Sequence, residues 1–173
     1  NTAGWSGGAI SSIYDNRRAN TFFKLDIREG TFTGNTALEG SGGAIFWYEG
    51  RAYLVNCTIT GNSAPNGYGG GFYRLYDASS FLAVGGTCNI TGNTAYTDGV
   101  DNNSNIYSSS PANMKIFSVG ESPLKADSKI GVSFGYPYTN SYFSGGGDGI
   151  VNFGFSSEAA DCFVSDDPSY KVA

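Results

Sequence analysis

Short segments of the chain alternate apolar and polar residues with a period of two. In residues 53–59, the predicted inner side of the strand carries Tyr53, Val55, Cys57 and Ile59. Residues 82–90 repeat this alternation, and the predicted matching side carries Leu82, Val84, Gly86, Cys88 and Ile90. A period of two indicates β-strands, and nothing in these segments follows the 3.6-residue period of a helix.

Two sequence words recur along the chain. The first is Thr-Gly-Asn-Ser/Thr-Ala, at residues 33–37, 60–64 and 91–95, and the chain opens on the tail of another copy at Asn1. The second is Gly-Gly-Ala/Gly-Ile/Phe, at residues 7–10, 42–45 and 69–72, with a looser copy at 105–107. Copies lie roughly 30 residues apart, a period typical of solenoids. The strand-forming content predicts an all-β protein, a right-handed, single-stranded parallel β-helix of the pectin-lyase-like type.

The repeated asparagines have a predicted structural role. Stacked coils place like residues about 4.8 Å apart, so Asn35, Asn62 and Asn93 should form a ladder. Each side-chain amide can bond to the coil above and below and to backbone groups freed at the turn. We therefore expect these asparagines to be buried at a turn.

The repeat loosens after residue 96, which suggests two sections within one domain. Residues 1–112 should form the repeated coils, and residues 113–173 a β-rich terminal section that completes or caps the solenoid. In that section we predict strands at 114–119 and 129–134, a loop at 136–150 and a last strand near 170–172.

Composition narrows the possible functions. The 173 residues are long enough for one well-buried domain, and a net charge of −5 leaves no basic patch for nucleic acid. The sequence has no apolar run long enough to span a membrane. Histidine is absent, which removes the commonest general base and metal ligand. Because the chain starts inside a repeat, we expect it to be part of a longer, multi-module protein.

Three cysteines, Cys57, Cys88 and Cys162, do not have the spacing of a zinc site. Cys57 and Cys88 occupy equivalent positions in neighbouring repeats. Two interpretations stay open, namely small buried side chains stacked in the core and a disulfide between adjacent coils.

The repeat words resemble those of bacterial surface β-helix proteins. They are similar to the polymorphic outer-membrane (autotransporter adhesin) repeats, whose signatures are a GGA-I-like word and an F-x-x-N-like word; residues 32–35 fit the second literally. The terminal section resembles modules of large surface proteins of Gram-positive gut bacteria, through residues 105–107, 123–124, 128–132, 163–167 and 170–172. This resemblance implies a β-helix at the cell surface or outside the cell. It implies no catalytic residues, because the repeat residues are structural in those families.

Three groups of residues are candidates for ligand contact. The first is an acidic stripe of turn-opening residues, Asp15, Glu49 and Asp77, whose alternative role is to bond nearby backbone amides. The second is a set of aromatic residues that includes Trp47, Tyr48 and Tyr76, which would stack on sugars or anchor a protein if exposed. The third, around Asp98 and Asp101, has closely spaced oxygen ligands as calcium loops do, but it lacks the EF-hand order. We predict no other metal or cofactor.

These observations favour a non-catalytic structural or adhesive module whose partner is a host or cell-surface protein or a glycan. Two alternatives stay open. A carbohydrate-active β-helix enzyme, such as a polysaccharide lyase or hydrolase, requires acidic groups that converge on an outer groove. A glycan-binding module without catalysis requires exposed aromatic rings.

Overall fold

The structure is built from β-strands. The computed structural model describes residues 1–12, 23–75, 81–97, 100–108, 115–134, 151–153 and 161–168, and every regular element in these ranges is a strand. The strands are β1 (Thr2–Ala3), β2 (Ile10–Ser11), β3 (Lys24–Arg28), β4 (Thr31–Thr33), β5 (Thr36–Ala37), β6 (Ile45–Trp47), β7 (Arg51–Val55), β8 (Thr58–Thr60), β9 (Ser63–Ala64), β10 (Phe72–Arg74), β11 (Phe81–Gly85), β12 (Asn89–Thr91), β13 (Thr94–Thr97), β14 (Val100–Asn103), β15 (Ile106–Ser108), β16 (Lys115–Ser118), β17 (Lys129–Phe134), β18 (Val151–Phe153) and β19 (Phe163–Ser165).

The strands form three sheets that wind into a solenoid. Sheet A has the order β1-β5-β9-β13-β14, and sheet C has the order β18-β16-β11-β7-β3. Sheet B has the order β2-β6-β10-β15-β17-β12-β8-β4, with β19 also paired to β17. Strands from successive coils pair in parallel, so each coil visits C, B, A and B again before the next begins. The predicted parallel β-helix is confirmed.

The core consists of columns of like side chains inside the coils. On sheet B, Ile45, Phe72, Ile106 and Val132 share one register, and Ile59, Ile90 and Ile130 share another; all are fully buried. On sheet A the column contains Ala37, Ala64 and Ala95. Alanine suits this narrow edge because it buries apolar surface without filling the corner.

One predicted side-chain direction is wrong. In β7 the interior residues are Ala52 and Leu54, paired with Leu82 and Val84, whereas Tyr53 lies on the outer side and is half-exposed. Alternation does not continue through the corner after β7, because Asn56 there has a positive φ of 52°. At the equivalent corners of the neighbouring coils, Glu29 and Gly86 both have a φ of 61°. The corner at Gly86 is one residue longer than the other two, because Thr87 is inserted after it.

The two glycines of the second repeated word are required for different physical reasons. The first glycine of each word, at Gly7, Gly42 and Gly69, has a positive φ of 63–72°, a conformation that side chains disfavour. The second lacks room, since a Cβ on Gly43 would collide with the carbonyl oxygen of Gly70 in the next coil. The word therefore encodes a corner at which successive coils approach closely.

The terminal strands extend the same sheets. Strand β16 pairs with β11, and β17 lies where strand 129–134 was predicted. Strand β17 pairs with β12 through Lys129 and Ile130, then with β15 through Val132 to Phe134. This single strand thus passes directly between two positions that earlier coils connect through the asparagine corner and sheet A.

The loosened region contains an unexpected feature. Strands β13 and β14 form an antiparallel hairpin in a fold whose other strand pairs are parallel, among the described residues. The predicted loop at 136–150 and the predicted last strand near 170–172 lie outside those residues.

Candidate functional site

The asparagine corner contains the predicted ladder. Oδ1 of Asn62 accepts hydrogen bonds from the backbone nitrogen and Nδ2 of Asn35, both at 2.8 Å. Oδ1 of Asn93 accepts the same pair from Asn62, at 3.0 and 2.8 Å. Asn35, Asn62 and Asn93 are 4%, 1% and 0% exposed. The three residues therefore form the buried ladder that their repetition predicts.

Each ladder amide also holds its own coil in place. Nδ2 of Asn62 donates to the carbonyl oxygen of Thr60 at 3.1 Å, and Nδ2 of Asn93 donates to that of Thr91 at 3.2 Å. A second carbonyl one coil away is also bonded, since Nδ2 of Asn93 reaches the oxygen of Ile59 at 2.7 Å. These bonds engage carbonyls at the ends of strands β8 and β12, where the chain turns out of sheet B.

The ladder continues beyond the repeat. Oδ1 of Asn105 accepts from the backbone nitrogen and Nδ2 of Asn93, at 3.0 and 2.8 Å. Asn105 in turn donates its backbone nitrogen to Oδ2 of Asp166 at 2.7 Å and its Nδ2 to Oδ1 of Asp166. Neither residue belongs to a Thr-Gly-Asn word. The sequence signal is weak, since only the β13–β14 hairpin brings Asn105 back over Asn93 after 12 residues.

Asp166 ends the ladder. Every asparagine donates to the next rung through its backbone nitrogen and Nδ2, but a carboxylate only accepts. The backbone nitrogen of Asp166 donates to the carbonyl oxygen of Val132 at 2.9 Å instead. Burial raises the pKa of Asp166, and hydrogen bonds from Asn105 and Ser133 oppose the rise. Gly131 leaves room for this last rung, because a Cβ there would collide with Asn105 Nδ2 and Asp166 Oδ1.

Aromatic rings form a column on the outer side of sheet B. Phe46 and Tyr73 stack with centroids 5.2 Å apart, and Tyr73 and Tyr107 stack at 5.6 Å. Tyr68 packs on Tyr107 at 4.8 Å. Tyr73 and Tyr107 are each only 7% exposed, so most of this aromatic surface is already packed.

Trp47 does not lie with that column. It follows Phe46 in β6 and faces the interior, in register with Arg74, and it is 5% exposed. The structure corrects its assignment as a surface contact, because two-residue alternation places neighbours on opposite sides of a strand. Its Nε1 has no hydrogen-bond partner within the described chain.

Exposed large apolar side chains concentrate on one turn. We define the post-alanine turn as the segment after each sheet A alanine, at residues 4–6, 38–41 and 65–68. In the last copy strand β13 continues past the alanine, and Tyr96 lies in that strand at the corresponding position. Within the described residues, the exposed large apolar side chains are Trp5 (78%), Leu38 (42%), Tyr68 (41%), Tyr96 (46%) and Val164 (58%). Trp5, Leu38 and Tyr68 belong to this turn, and Tyr96 occupies the corresponding position in β13. The turn was not predicted as a surface of this kind.

The outer side of sheet C carries a charged and aromatic cluster. Asp26 forms ion pairs with Lys24 at 2.9 Å and with Arg28 at 3.2 Å. The hydrogen bond from Lys24 is the main cause that lowers the pKa of Asp26. Lys24 Nζ lies 4.9 Å from the ring centroid of Tyr53. Since these ion pairs are exposed, they contribute little to stability.

The acidic stripe and the calcium loop receive no support from the described residues. Glu49 and its neighbour Tyr48 are half-buried, while Asp15, Asp77 and Tyr76 lie outside the described residues. Asp98 also lies outside them, and Asp101 is in strand β14 opposite Tyr96 rather than in an open loop. No group of three or more His, Cys, Asp or Glu side chains with metal-binding geometry occurs in the described ranges.

The cysteines are free and buried. Cys57 and Cys88 belong to a column of small residues at the corner before sheet B, which Ser128 continues, and Cys162 directly precedes β19. Their thiols lie near backbone carbonyls, for example Cys88 Sγ at 3.3 Å from the oxygen of Gly85. Burial raises the pKa of all three thiols, which makes them poor nucleophiles.

Comparison of the chain with protein-family models, with curated proteins and with solved structures finds no match. Among the described residues, no helix is long and apolar enough to cross a membrane.

Proposed function

We propose that this chain is a non-catalytic structural and adhesive module of a bacterial cell-surface or secreted protein. Its coils act as a rigid stalk, and its variable turns bind a host or cell-surface protein or a glycan. The observation that carries the adhesive role is the post-alanine turn, where Trp5, Leu38 and Tyr68 expose apolar surface, together with Tyr96 at the corresponding position of β13. Exposed apolar side chains gathered on one side of a molecule are typical of interaction sites.

The structural role is supported by the ladder. Asparagine amides inside the coils are bonded to one another and to backbone carbonyls, so these repeated polar groups serve the fold. The ladder runs along the solenoid axis from Asn35 to Asp166 and links each coil to the next, which favours a stiff body.

Binding of the purified chain to immobilised host-cell surface proteins and to a glycan array tests the proposal. The variant Trp5→Ser with Leu38→Ser should lose most of the binding, because both exposed apolar contacts are removed. Val164→Ser is the matched control, since Val164 is similarly exposed but lies on β19. Equal binding by the double variant and the control would contradict the assignment of the turn.

A reaction assay separates this proposal from an enzyme. Pectins, alginate and host glycans incubated with the chain should release no new reducing or unsaturated ends. Release of such ends, lost on Glu49→Gln, would overturn the non-catalytic proposal.

A further inference from the structure

The strands beside the asparagine ladder present a regular array of hydroxyl groups. On the outer side of sheet B, Thr31, Thr58 and Asn89 are in register in one column, and Thr33, Thr60 and Thr91 are in register in the next. On sheet A, Thr36, Ser63 and Thr94 form a third column. We call these three columns, which contain eight hydroxyl side chains and the amide of Asn89, the hydroxyl face.

The spacing of the hydroxyl face is regular in two directions. Residues of one column are about 4.8 Å apart, the distance between adjacent strands. The two sheet B columns are about 6.6 Å apart, since two residues of a strand separate them. The ladder maintains this order from behind, because Nδ2 of Asn62 and Asn93 binds the carbonyl oxygens of Thr60 and Thr91.

The nine positions of the hydroxyl face are uncharged, and the exposed Lys129 lies in register with Asn89 at the edge of the first column. None of the nine side chains ionises, and all are half-exposed or exposed. Between the second and third columns lie Gly34, Gly61 and Gly92, which place no side chain above the surface. Their positive φ of 64° favours glycine, so the backbone conformation of the turn itself keeps this strip free of side chains.

Most hydroxyls of this face are available to solvent. Within the described chain only two hydrogen bonds join its side chains, from Thr91 Oγ1 to Asn89 Oδ1 at 2.9 Å and between Thr36 Oγ1 and Ser63 Oγ at 3.2 Å. Each threonine places a methyl group beside its hydroxyl. The face therefore offers a repeating pattern of hydrogen-bonding and apolar points, and water bound to the hydroxyls must adopt the same repeat.

We propose that the hydroxyl face orders water in a lattice and thereby binds the surface of ice. Oxygen atoms at ice surfaces repeat at spacings in the range that the columns present. A cationic ligand is disfavoured because the nine positions offer no negative charge to pair with it, and an anionic ligand would meet a positive charge only at Lys129, at the edge of the face. A sugar chain is disfavoured because no aromatic ring belongs to this face, and aromatic rings are the usual stacking partners of sugars.

Adsorption to a growing ice hemisphere and inhibition of ice recrystallisation test this proposal directly. The wild-type chain should be concentrated in the ice and should slow crystal coarsening. Thr60→Lys should reduce both effects to those of an inert protein, because Thr60 lies at the centre of the face and a long charged side chain disrupts the ordered water. Thr60→Ser, which loses only the methyl group, should give an intermediate effect.

Thr87→Lys is the matched control, since Thr87 is also half-exposed but lies at another corner. It should adsorb like the wild type, and circular dichroism should show all variants folded. Failure of the folded wild-type chain to adsorb would overturn the proposal. The face would instead be assigned to a crystalline polysaccharide if the chain does not adsorb to ice but pellets with microcrystalline chitin or cellulose, and if Thr60→Lys abolishes that pelleting.

Discussion

The middle and the end of the ladder pair their buried hydrogen-bonding groups with different residues. In the middle, Asn35 donates two hydrogen bonds to Oδ1 of Asn62, and Asn62 donates two to Oδ1 of Asn93. The two sets of bonds have nearly identical geometry. At the end, Asn105 continues the pattern and Asp166 accepts without donating. A stack of identical rungs has no terminus of its own, because every asparagine leaves donors for another. An acceptor-only side chain is a chemical way to stop it.

The two regions also differ in how the chain reaches them. The middle rungs recur once per coil, so sequence repetition and spatial repetition coincide. Asn105 and Asp166 are brought in by the β13–β14 hairpin and by β19, which pairs with β17. Repetition is thus sufficient to build a solenoid, and irregular elements are needed to end it.

The largest expected effect comes from the middle. Asn62→Leu removes the acceptor of the Asn35 backbone nitrogen and Nδ2, both buried. Each buried donor left without a partner costs about 1–3 kcal/mol, so we expect a loss of about 3 kcal/mol in the free energy of unfolding, measured by urea denaturation. Asn66→Leu is the control, because Asn66 is exposed on the same coil. A loss at Asn62 no greater than at Asn66 would refute the stabilising role of the ladder.

A smaller effect is expected from crowding the last rung. Gly131→Ala adds a methyl group where Asn105 Nδ2 and Asp166 Oδ1 already lie. Overpacking of this kind costs about 1–3 kcal/mol, which a thermal unfolding curve will show as a lowered Tm. Gly120→Ala is a matched control, since no atom lies within 4 Å of the added Cβ there. Equal Tm values for both variants would mean that the end of the ladder adapts freely.

The charge on Asp166 predicts a pH dependence that the asparagine rungs lack. Because the folded state raises the pKa of Asp166 above its usual 3.8, the unfolded chain loses this proton first as pH rises. The contribution of this group to stability therefore falls from pH 3.8 upward and levels off above its raised pKa. Asp166→Asn, which retains an acceptor for Asn105, should remove that fall. The difference between variant and wild type in urea titrations at several pH values measures it, and a constant difference would contradict the raised pKa.

The smallest effect is expected at the cysteine corner. Ser128 occupies the position equivalent to Cys88 one coil further, and its Oγ donates to the carbonyl oxygen of Gly86 at 3.2 Å. Cys88→Ser places a hydroxyl near the oxygen of Gly85 in the same way, so we expect a change within about 1 kcal/mol. The native chain should also resist thiol reagents until it unfolds. A reagent that labels Cys88 in the folded protein would contradict its burial.

Much of the fold was predictable because the coils repeat. Period-two alternation indicates strands, the roughly 30-residue period indicates coils, and identical words one period apart indicate stacking in register. The buried ladder of Asn35, Asn62 and Asn93 follows from the same reasoning. These predictions succeeded because in a solenoid each residue contacts its own copy, so local pattern and long-range contact carry the same information.

The tertiary structure alone decided the rest. The positive φ at Asn56 reverses which side chains of β7 face inward, so Tyr53 lies outside and Leu54 inside. Alternation also could not distinguish Trp47 from Phe46 until the register of β6 against β10 was known. The terminal rungs Asn105 and Asp166 depend on strand pairings between residues 61 positions apart with no shared word. Repetition determined the coils, whereas side-chain direction at corners and the end of the stack depend on non-repeated contacts that only the folded chain brings together.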